Sequence, residues 1–204
     1  MLTFNVNKAN GSRAESIKQH LIEDSADVIG LQEISKICKT WQMLPGWKVK
    51  VSKHCSLILT NPKLQFVATK TLFGGQVIKA EISYDNQMTF TALCIYATAN
   101  SKDNINFWRK LGSLKMTGVI LFVIYGANKD PRLGSADFVS CLEKLNLQDA
   151  LDREVNSFEN MTYTIWYLTL EGFAGSRLDY FLVSIEVSEY FLQLTPPPDL
   201  PGGA

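Results

Sequence analysis

The chain has 204 residues, 46% hydrophobic and 20% charged, a balance that excludes wholesale disorder and allows one domain with a sizeable core. The longest apolar run, Val119–Tyr125, is far shorter than the roughly 20 residues that a membrane-spanning helix needs. The N-terminus has no basic-then-apolar secretory pattern, and the formal net charge of zero argues against a strong uniform field. We therefore expect an intracellular protein, cytosolic or nuclear, without membrane contact.

The N-terminal part of the chain is predicted to form strand, helix and strand. The apolar run Leu2–Val6 is the first strand, Ser12–Glu15 is a capping box that begins a helix, and Val28–Leu31 is the second strand. Because such a crossover joins parallel strands, the C-terminal ends of both strands share one edge of the sheet. We therefore expect Asn5 and Glu33 to lie near each other.

The rest of the chain is predicted to be mostly strands. These are Ser56–Thr60, Phe66–Thr71, Gln76–Ser83, Gln87–Tyr96, Gly118–Tyr125, Thr162–Thr169 and Leu178–Val183. Helices are predicted at Asp103–Leu111 and Ser135–Leu145, and Tyr84–Asn86 is predicted to be a hairpin turn. We expect one domain at residues 1–195, followed by a Pro/Gly-rich tail at residues 196–204.

Charge is distributed unevenly along the chain. The segment Ile34–Ala80, which we call the lysine block, contains eight lysines and no Asp or Glu. The remaining residues carry 20 acids against 12 bases, a net charge of −8. The block is either an ordinary solvated surface or a surface that meets a phosphate backbone, because lysines supply the sequence-independent part of nucleic-acid affinity.

The cysteines indicate neither a zinc site nor a disulfide framework. Cys38, Cys55, Cys94 and Cys141 are widely separated and form no CxxC pair. We expect free, partly buried thiols.

Four segments of the chain, in this order, resemble the endonuclease/exonuclease/phosphatase superfamily. This superfamily includes abasic-site endonucleases and the endonuclease domains of non-LTR retrotransposons. The segments are Leu2–Asn7, Asp27–Glu33, Cys94–Asn100 and Ser176–Ser184, and the second closely matches the DIIxLQE pattern of the superfamily. The resemblance implies an α/β fold in which two sheets form a sandwich flanked by helices.

A metal site follows from the resemblance and from the position of Glu33. A carboxylate at the end of a buried strand is a poor structural choice, but it is the hard oxygen ligand that Mg²⁺ prefers. We assign Glu33 as the ligand of Mg²⁺, with Mn²⁺ as the alternative ion, and Asn5 as the residue that assists the metal and the phosphate. The alternative for Glu33 is a surface residue that caps the next loop.

The resemblance also implies residues that contact the substrate. Tyr96 is expected to donate a hydrogen bond to the scissile phosphate, Asn128 to contact the phosphate or the developing charge, and Asp179 to lie beside the active site. The alternative for Tyr96 is half-buried packing, and the alternative for Asp179 is an ion pair with Arg177 or another base. We assign four further residues to substrate binding: Asn7, Thr164, which precedes Trp166 in a T-x-W segment, and Lys36 and Lys39 of the lysine block.

Two departures from the superfamily pattern fall on the catalytic residues. Gly126 stands where relatives carry the aspartate that activates the attacking water. The final strand with its aspartate and histidine is not matched, because Glu186–Leu194 runs into the Pro/Gly tail, so the last strand is expected to be missing or replaced. Neither His20 nor His54 matches that histidine, and both are expected at the surface. Asp130 is a weaker candidate to replace the missing carboxylate.

The sequence therefore predicts a Mg²⁺-dependent phosphodiesterase or endonuclease-like domain that acts on nucleic acid, with DNA favoured over RNA, and whose catalysis is impaired. The alternative is a non-catalytic relic of a retrotransposon endonuclease that binds nucleic acid or a protein.

Overall fold

The computed structural model describes residues 2–6, 8–23, 25–34, 44–97, 101–114, 116, 120–126, 135–149, 164–169, 172–177 and 179–184. The helices within these residues are α1 Gly11–Glu23, α2 Ser101–Gly112 and α3 Ser135–Lys144. The strands are β1 Leu2–Asn5, β2 Val28–Gln32, β3 Lys48–Val51, β4 Cys55–Leu59, β5 Leu64–Leu72, β6 Val77–Tyr84, β7 Met88–Ala97, β8 Ile120–Gly126, β9 Leu147–Asp149, β10 Thr164–Thr169, β11 Gly172–Arg177 and β12 Asp179–Ser184. Every predicted strand and helix is confirmed, and β3, β9 and β11 are additional.

The first sheet is built around the predicted strand–helix–strand unit. Its strand order is β1-β2-β4-β3, with β1 and β2 parallel and β4 antiparallel to both β2 and β3. In β3, two lysines alternate with Val49 and Val51, and the two valines pack against the α1 side of the sheet. This period of two is the pattern of a strand with one covered face.

The second sheet has strand order β5-β6-β7-β8-β12-β9. β7 and β8 are parallel, and the other neighbouring strands are antiparallel. The connection between β6 and β7 is the three-residue turn Asp85–Gln87, in which Asp85 and Asn86 are left-handed with φ values of 50° and 56° and Gln87 N donates to Tyr84 O at 3.0 Å. β10 and β11 form a separate antiparallel hairpin.

The two sheets face each other across an apolar layer. That layer joins Val28 and Leu57 of the first sheet to Ile78, Ala80 and Cys94 of the second sheet. The opposite face of the first sheet is covered by α1, and the opposite face of the second sheet is covered by α2 and α3. The predicted two-sheet α/β sandwich with helices outside is therefore confirmed. The final strand predicted to be missing would involve residues 185–204, which lie outside the described residues.

Three cysteines are free thiols, as predicted, but Cys55, Cys94 and Cys141 are fully buried rather than partly buried. Burial raises the pKa of the Cys55 thiol, and the adjacent Cys94 thiol raises it further. Burial also raises the pKa of Cys141 to about 11. These thiols act as small neutral core residues. Cys38 lies outside the described residues.

No helix in the part of the chain that the structure describes is both long and apolar enough to cross a bilayer.

A tight turn connects β5 to β6 and packs against the loop before β4. Phe73, Gly74 and Gly75 have φ values of 50°, 65° and 93°. The carbonyl of Gly75 accepts hydrogen bonds from Ser52 Oγ at 2.7 Å and His54 N at 3.3 Å. A Cβ atom on Gly75 would lie 2.6 Å from Lys53 Cβ, so the turn and the loop can meet only because residue 75 is glycine.

Replacing Gly75 with alanine is expected to lower the free energy of unfolding by about 1–3 kcal/mol, because the new Cβ clashes with Lys53 and the backbone is left-handed. Gly74→Ala is the matched control, because a Cβ there meets nothing within 4 Å and only the conformational cost remains. Urea denaturation of both variants measures the difference. An equal or smaller loss for Gly75→Ala would contradict the close approach of Gly75 to Lys53.

Candidate functional site

The C-terminal ends of β1 and β2 bring Asn5 and Glu33 together. Asn5 is paired in register with Gln32, and Asn5 Nδ2 donates a hydrogen bond to Glu33 Oε1 at 3.5 Å. Both residues are half-buried. The predicted proximity of Asn5 and Glu33 is therefore confirmed, and it follows from the parallel pairing of the two strands.

The backbone at Glu33 explains why this residue reaches Asn5. Gln32 faces the second sheet, and its Nε2 donates to Cys94 Sγ at 3.8 Å. Because successive residues of a strand face opposite sides, an extended Glu33 would point towards α1. Instead, Glu33 has a φ of 51°, which interrupts the alternation.

Hydrogen bonds beyond the strand ends hold Glu33 in this conformation. Val6 N donates to Gln32 O at 3.0 Å, and Lys8 N donates to Glu33 O at 2.7 Å. Lys8 is itself left-handed, with a φ of 50°. Left-handed backbone in residues other than glycine is costly and is concentrated at functional sites. Two such residues facing each other mark this strand end as a candidate site.

The second sheet contributes Tyr96 at the end of β7. Tyr96 is half-buried, and its amide donates to Gln76 O at 2.8 Å. Its ring stacks on the imidazole of His54, with ring centroids 5.3 Å apart and an interplanar angle of 20°. The orientation of Tyr96 is therefore restrained by neighbours on both sides.

His54 connects the two halves of the site. Ile34, the residue after Glu33, donates its amide hydrogen to His54 O at 3.4 Å, while the His54 ring lies on Tyr96. Glu33 and Tyr96 therefore lie at the same edge of the sandwich. His54 was expected to be a surface residue, and the structure shows it half-buried between the two sheets.

The strands next to β7 extend this edge. Tyr96 is in register with Tyr125 of β8, and Tyr125 is in register with Asp179 of β12. Gly126 ends β8 opposite Ala97. The backbone positions of Gly126 and Asp179 are thus level with Tyr96.

Thr164 is the remaining predicted site residue among those that the structure describes. Thr164 begins the β10–β11 hairpin, in register with Arg177. Four predicted site residues lie outside the described residues: Asn7, Lys36, Lys39 and Asn128.

Solved structures share this architecture. The crystal structure of D. rerio TDP2 complexed with a single-strand DNA product has a TM-score of 0.66 at 13% sequence identity, over 90% of this chain and 82% of that chain. The endonuclease domain of TRAS1, a telomere-specific non-LTR retrotransposon, has a TM-score of 0.58 at 11% identity, over 92% and 86% of the two chains. An endonuclease/exonuclease/phosphatase family protein from Leptotrichia buccalis C-1013-b has a TM-score of 0.58 at 15% identity, over 91% and 88%.

This chain has the endonuclease/exonuclease/phosphatase fold. The likeness is one of structure, because no protein-family model matches the sequence and the search of curated proteins found no similar sequence.

The donors at the Asn5–Glu33 edge fit the divalent cation that the endonuclease/exonuclease/phosphatase fold implies. Glu33 offers a carboxylate and Asn5 an amide oxygen, and Mg²⁺ in such sites uses one or two carboxylates together with water and phosphate oxygens. Among the described residues, no three His, Cys, Asp or Glu side chains form a group that could enclose a metal ion. A cation at this edge would therefore need water or phosphate for most of its ligands.

The lysine block is divided between the two ends of this fold. Lys48 Nζ donates to Pro62 O and Leu64 O, and Lys63 lies over the Tyr84 ring, both at the end remote from Glu33. Lys53 lies at the site end, next to His54. Lys53 therefore lies where a positive surface could extend beside Glu33 and Tyr96, whereas Lys48 and Lys63 lie away from these residues.

Glu33→Gly is expected to be more stable than Glu33→Ala by about 1 kcal/mol. Both variants remove the carboxylate, but only glycine adopts a positive φ without strain. The free energy of unfolding, measured with urea, gives the difference.

The matched control is the same pair of substitutions at Glu15, which lies inside α1 and is exposed. There the order should reverse, with alanine more stable than glycine by about 1 kcal/mol. If alanine is the more stable replacement at position 33 as well, Glu33 is not held in a left-handed conformation.

Proposed function

We propose that this chain binds the phosphodiester backbone of nucleic acid and hydrolyses it weakly at a Mg²⁺-dependent site. The observation that supports this most directly is the Asn5–Glu33 contact at one edge of the sandwich, with Tyr96 at the same edge. The names of two structural neighbours point to the same substrate class, since one is a complex with a DNA product and one is an endonuclease domain.

Each residue has a distinct part in this proposal. Glu33 and Asn5 hold Mg²⁺, with Mn²⁺ as the alternative ion, and Tyr96 donates its phenol hydrogen to a non-bridging phosphate oxygen. The cation, when bound, supplies charge neutralisation at the phosphoryl oxygens and at the leaving oxygen. The stacking of Tyr96 on His54 restricts the rotation of the phenol, which reduces the entropy lost when the phosphate is positioned.

The remaining proposed residues complete the contact with the substrate. Asn128 and Asp179 act beside the phosphate, and the four substrate-binding residues are Asn7, Thr164, Lys36 and Lys39. The register of Asp179 with Tyr125, and of Tyr125 with Tyr96, supports a location of Asp179 near the phosphate.

Hydrolysis is proposed to be slow because Gly126 carries no carboxylate. Gly126 ends β8 directly beside the end of β7. A general base that is correctly positioned there would contribute about two to four orders of magnitude in rate. Without it, the site retains binding and charge neutralisation but activates water poorly. The second candidate function, a non-catalytic domain that binds nucleic acid or protein, rests on this same substitution.

Glu33→Gln is expected to abolish any Mg²⁺-dependent nicking of supercoiled DNA, because an amide replaces the carboxylate that Asn5 contacts. Nicking is measured by conversion of supercoiled plasmid to the open circular form in Mg²⁺ and in EDTA. The control variant is Glu143→Gln, which makes the same change on the exposed face of α3 and should nick like the wild type. Equal nicking by all three proteins would exclude Glu33 from the site, and no nicking by any would favour the binding domain.

Gly126→Asp is expected to raise the nicking rate by about 100-fold or more, because it restores a general base at the end of β8. Gly126→Asn is the matched control, since it has nearly the same size and shape but cannot accept a proton. A rise in both variants, or in neither, would contradict the assignment of position 126.

A further inference from the structure

A polar and aromatic pocket opens next to Tyr96. It has a volume of about 600 Å³. Its walls come from the loop before β4, the turn between β5 and β6, and the middle of α2. Its lining includes Lys53, His54, Phe73, Gln76, Asn106 and Lys110.

The lining chemistry suits a nucleotide. Lys53 and Lys110 are exposed cations from different elements, and both lie at the pocket. Gln76 and Asn106 add amide groups that can donate and accept hydrogen bonds. Phe73 is half-buried and contacts the Phe107 ring edge to face, with centroids 5.5 Å apart. Cations that neutralise phosphates and an aromatic ring that stacks on a base are the two components of single-strand binding.

The pocket has a preformed wall. Phe73 lies in the left-handed turn between β5 and β6. The turn is held against the loop that contains Lys53, because Gly75 O accepts hydrogen bonds from Ser52 Oγ and His54 N. Glycine is required there because a side chain at position 75 would collide with Lys53. Because this geometry is built in before a ligand arrives, less conformational freedom is lost on binding.

The pocket is continuous with the proposed phosphate site. His54 lines the pocket and stacks on Tyr96. Gln76 also lines it, accepts a backbone hydrogen bond from Tyr96 and donates its Nε2 to Tyr96 O at 3.5 Å. A group in the pocket and a phosphate at Tyr96 would therefore belong to neighbouring units of one chain.

We propose that this pocket binds one unstacked nucleotide of a single-stranded nucleic acid, adjacent to the phosphate at Tyr96. The phosphate of that nucleotide lies against Lys53 and Lys110, and its base lies on Phe73 with its edge towards Gln76 and Asn106. A base can enter such a concavity only after it leaves the stack, so single strands bind better than duplexes. This inference rests on the proposed function for the location of the neighbouring phosphate.

The test measures binding without metal, so that it is separate from hydrolysis. Fluorescence anisotropy in EDTA compares a labelled ten-nucleotide DNA, the RNA of the same sequence, the DNA duplex and a DNA of the same length without bases. The wild type is expected to bind a single strand more tightly than the duplex. Tighter binding of the DNA or of the RNA single strand shows which sugar the pocket prefers. Either result supports the pocket, provided that the single strand binds more tightly than the duplex. Equal or tighter binding of the duplex, or no binding of any single strand, overturns the proposal.

Substitution of the pocket lysines tests the phosphate contacts. The double variant Lys53→Gln with Lys110→Gln should weaken single-strand binding. It should also reduce the slope of log K against log salt by about 0.7, since both lysines face one phosphate and each phosphate neutralised in a single strand contributes about 0.7. The control, Lys50→Gln with Lys63→Gln, removes the same charge next to Phe66 and Tyr84 and should leave the slope unchanged. Equal slopes for the two double variants overturn the assignment of the lysines.

Substitution of Phe73 tests base stacking independently of stability. Phe73→Leu should weaken binding of the normal single strand by about 5-fold or more, while binding of the DNA without bases should not change. A general loss of folding would weaken both, and circular dichroism would reveal it. If Phe73→Leu binds both ligands as the wild type does, the base does not lie on Phe73.

Failure of this inference differs from failure of the proposed function. Normal nicking with unchanged binding by the pocket variants would overturn the pocket alone. If the pocket variants weaken single-strand binding as expected but Glu33→Gln nicks DNA like the wild type, only the metal site is overturned.

Discussion

The contact between Asn5 and Glu33 depends on the left-handed backbone of Glu33. An extended residue at this position would continue the alternation of β2 and point towards α1. The hydrogen bonds from Val6 N and Lys8 N instead fix the end of β2 against the chain that leaves β1. These hydrogen bonds hold Glu33 in its costly left-handed conformation. That conformation places the half-buried Glu33 carboxylate at the strand edge, where Tyr96 also lies.

The two sheets contribute different halves of the site, and their packing determines how the halves meet. Gln32 and Leu31 contact Cys94 across the apolar layer, so the ends of β2 and β7 are aligned by buried contacts. His54 then bridges the remaining distance, with its backbone on Ile34 and its ring on Tyr96. The relative position of carboxylate and phenol therefore depends on the core of the sandwich as much as on the residues at its edge.

The proximity of Asn5 and Glu33 could be predicted from the sequence because it follows from a local rule, the parallel pairing of strands joined by one helix. The position of His54 could not be predicted, because it results from contacts between the two sheets. The hydrophobic periodicity of the sequence predicts the strands but not how the two sheets pack on each other. The sequence of β3 alternates lysine and valine, but its two lysines are also typical of a solvent-exposed loop, so the strand was not predicted. β11 was not predicted because Gly172 and Gly175 weaken the strand signal in a short segment. Lys110 joins Lys53 at the pocket although the two lysines are 57 positions apart in the chain.

The most direct test of the Asn5–Glu33 site is a crystal structure of the protein with Mn²⁺ and a short oligonucleotide, with the ion located by its anomalous scattering. One ion is expected on the Glu33 carboxylate, with the Asn5 side chain beside it and a phosphate oxygen among its ligands. An ion bound elsewhere, with the Asn5–Glu33 edge empty at saturating Mn²⁺, would show that Glu33 and Asn5 do not form a metal site.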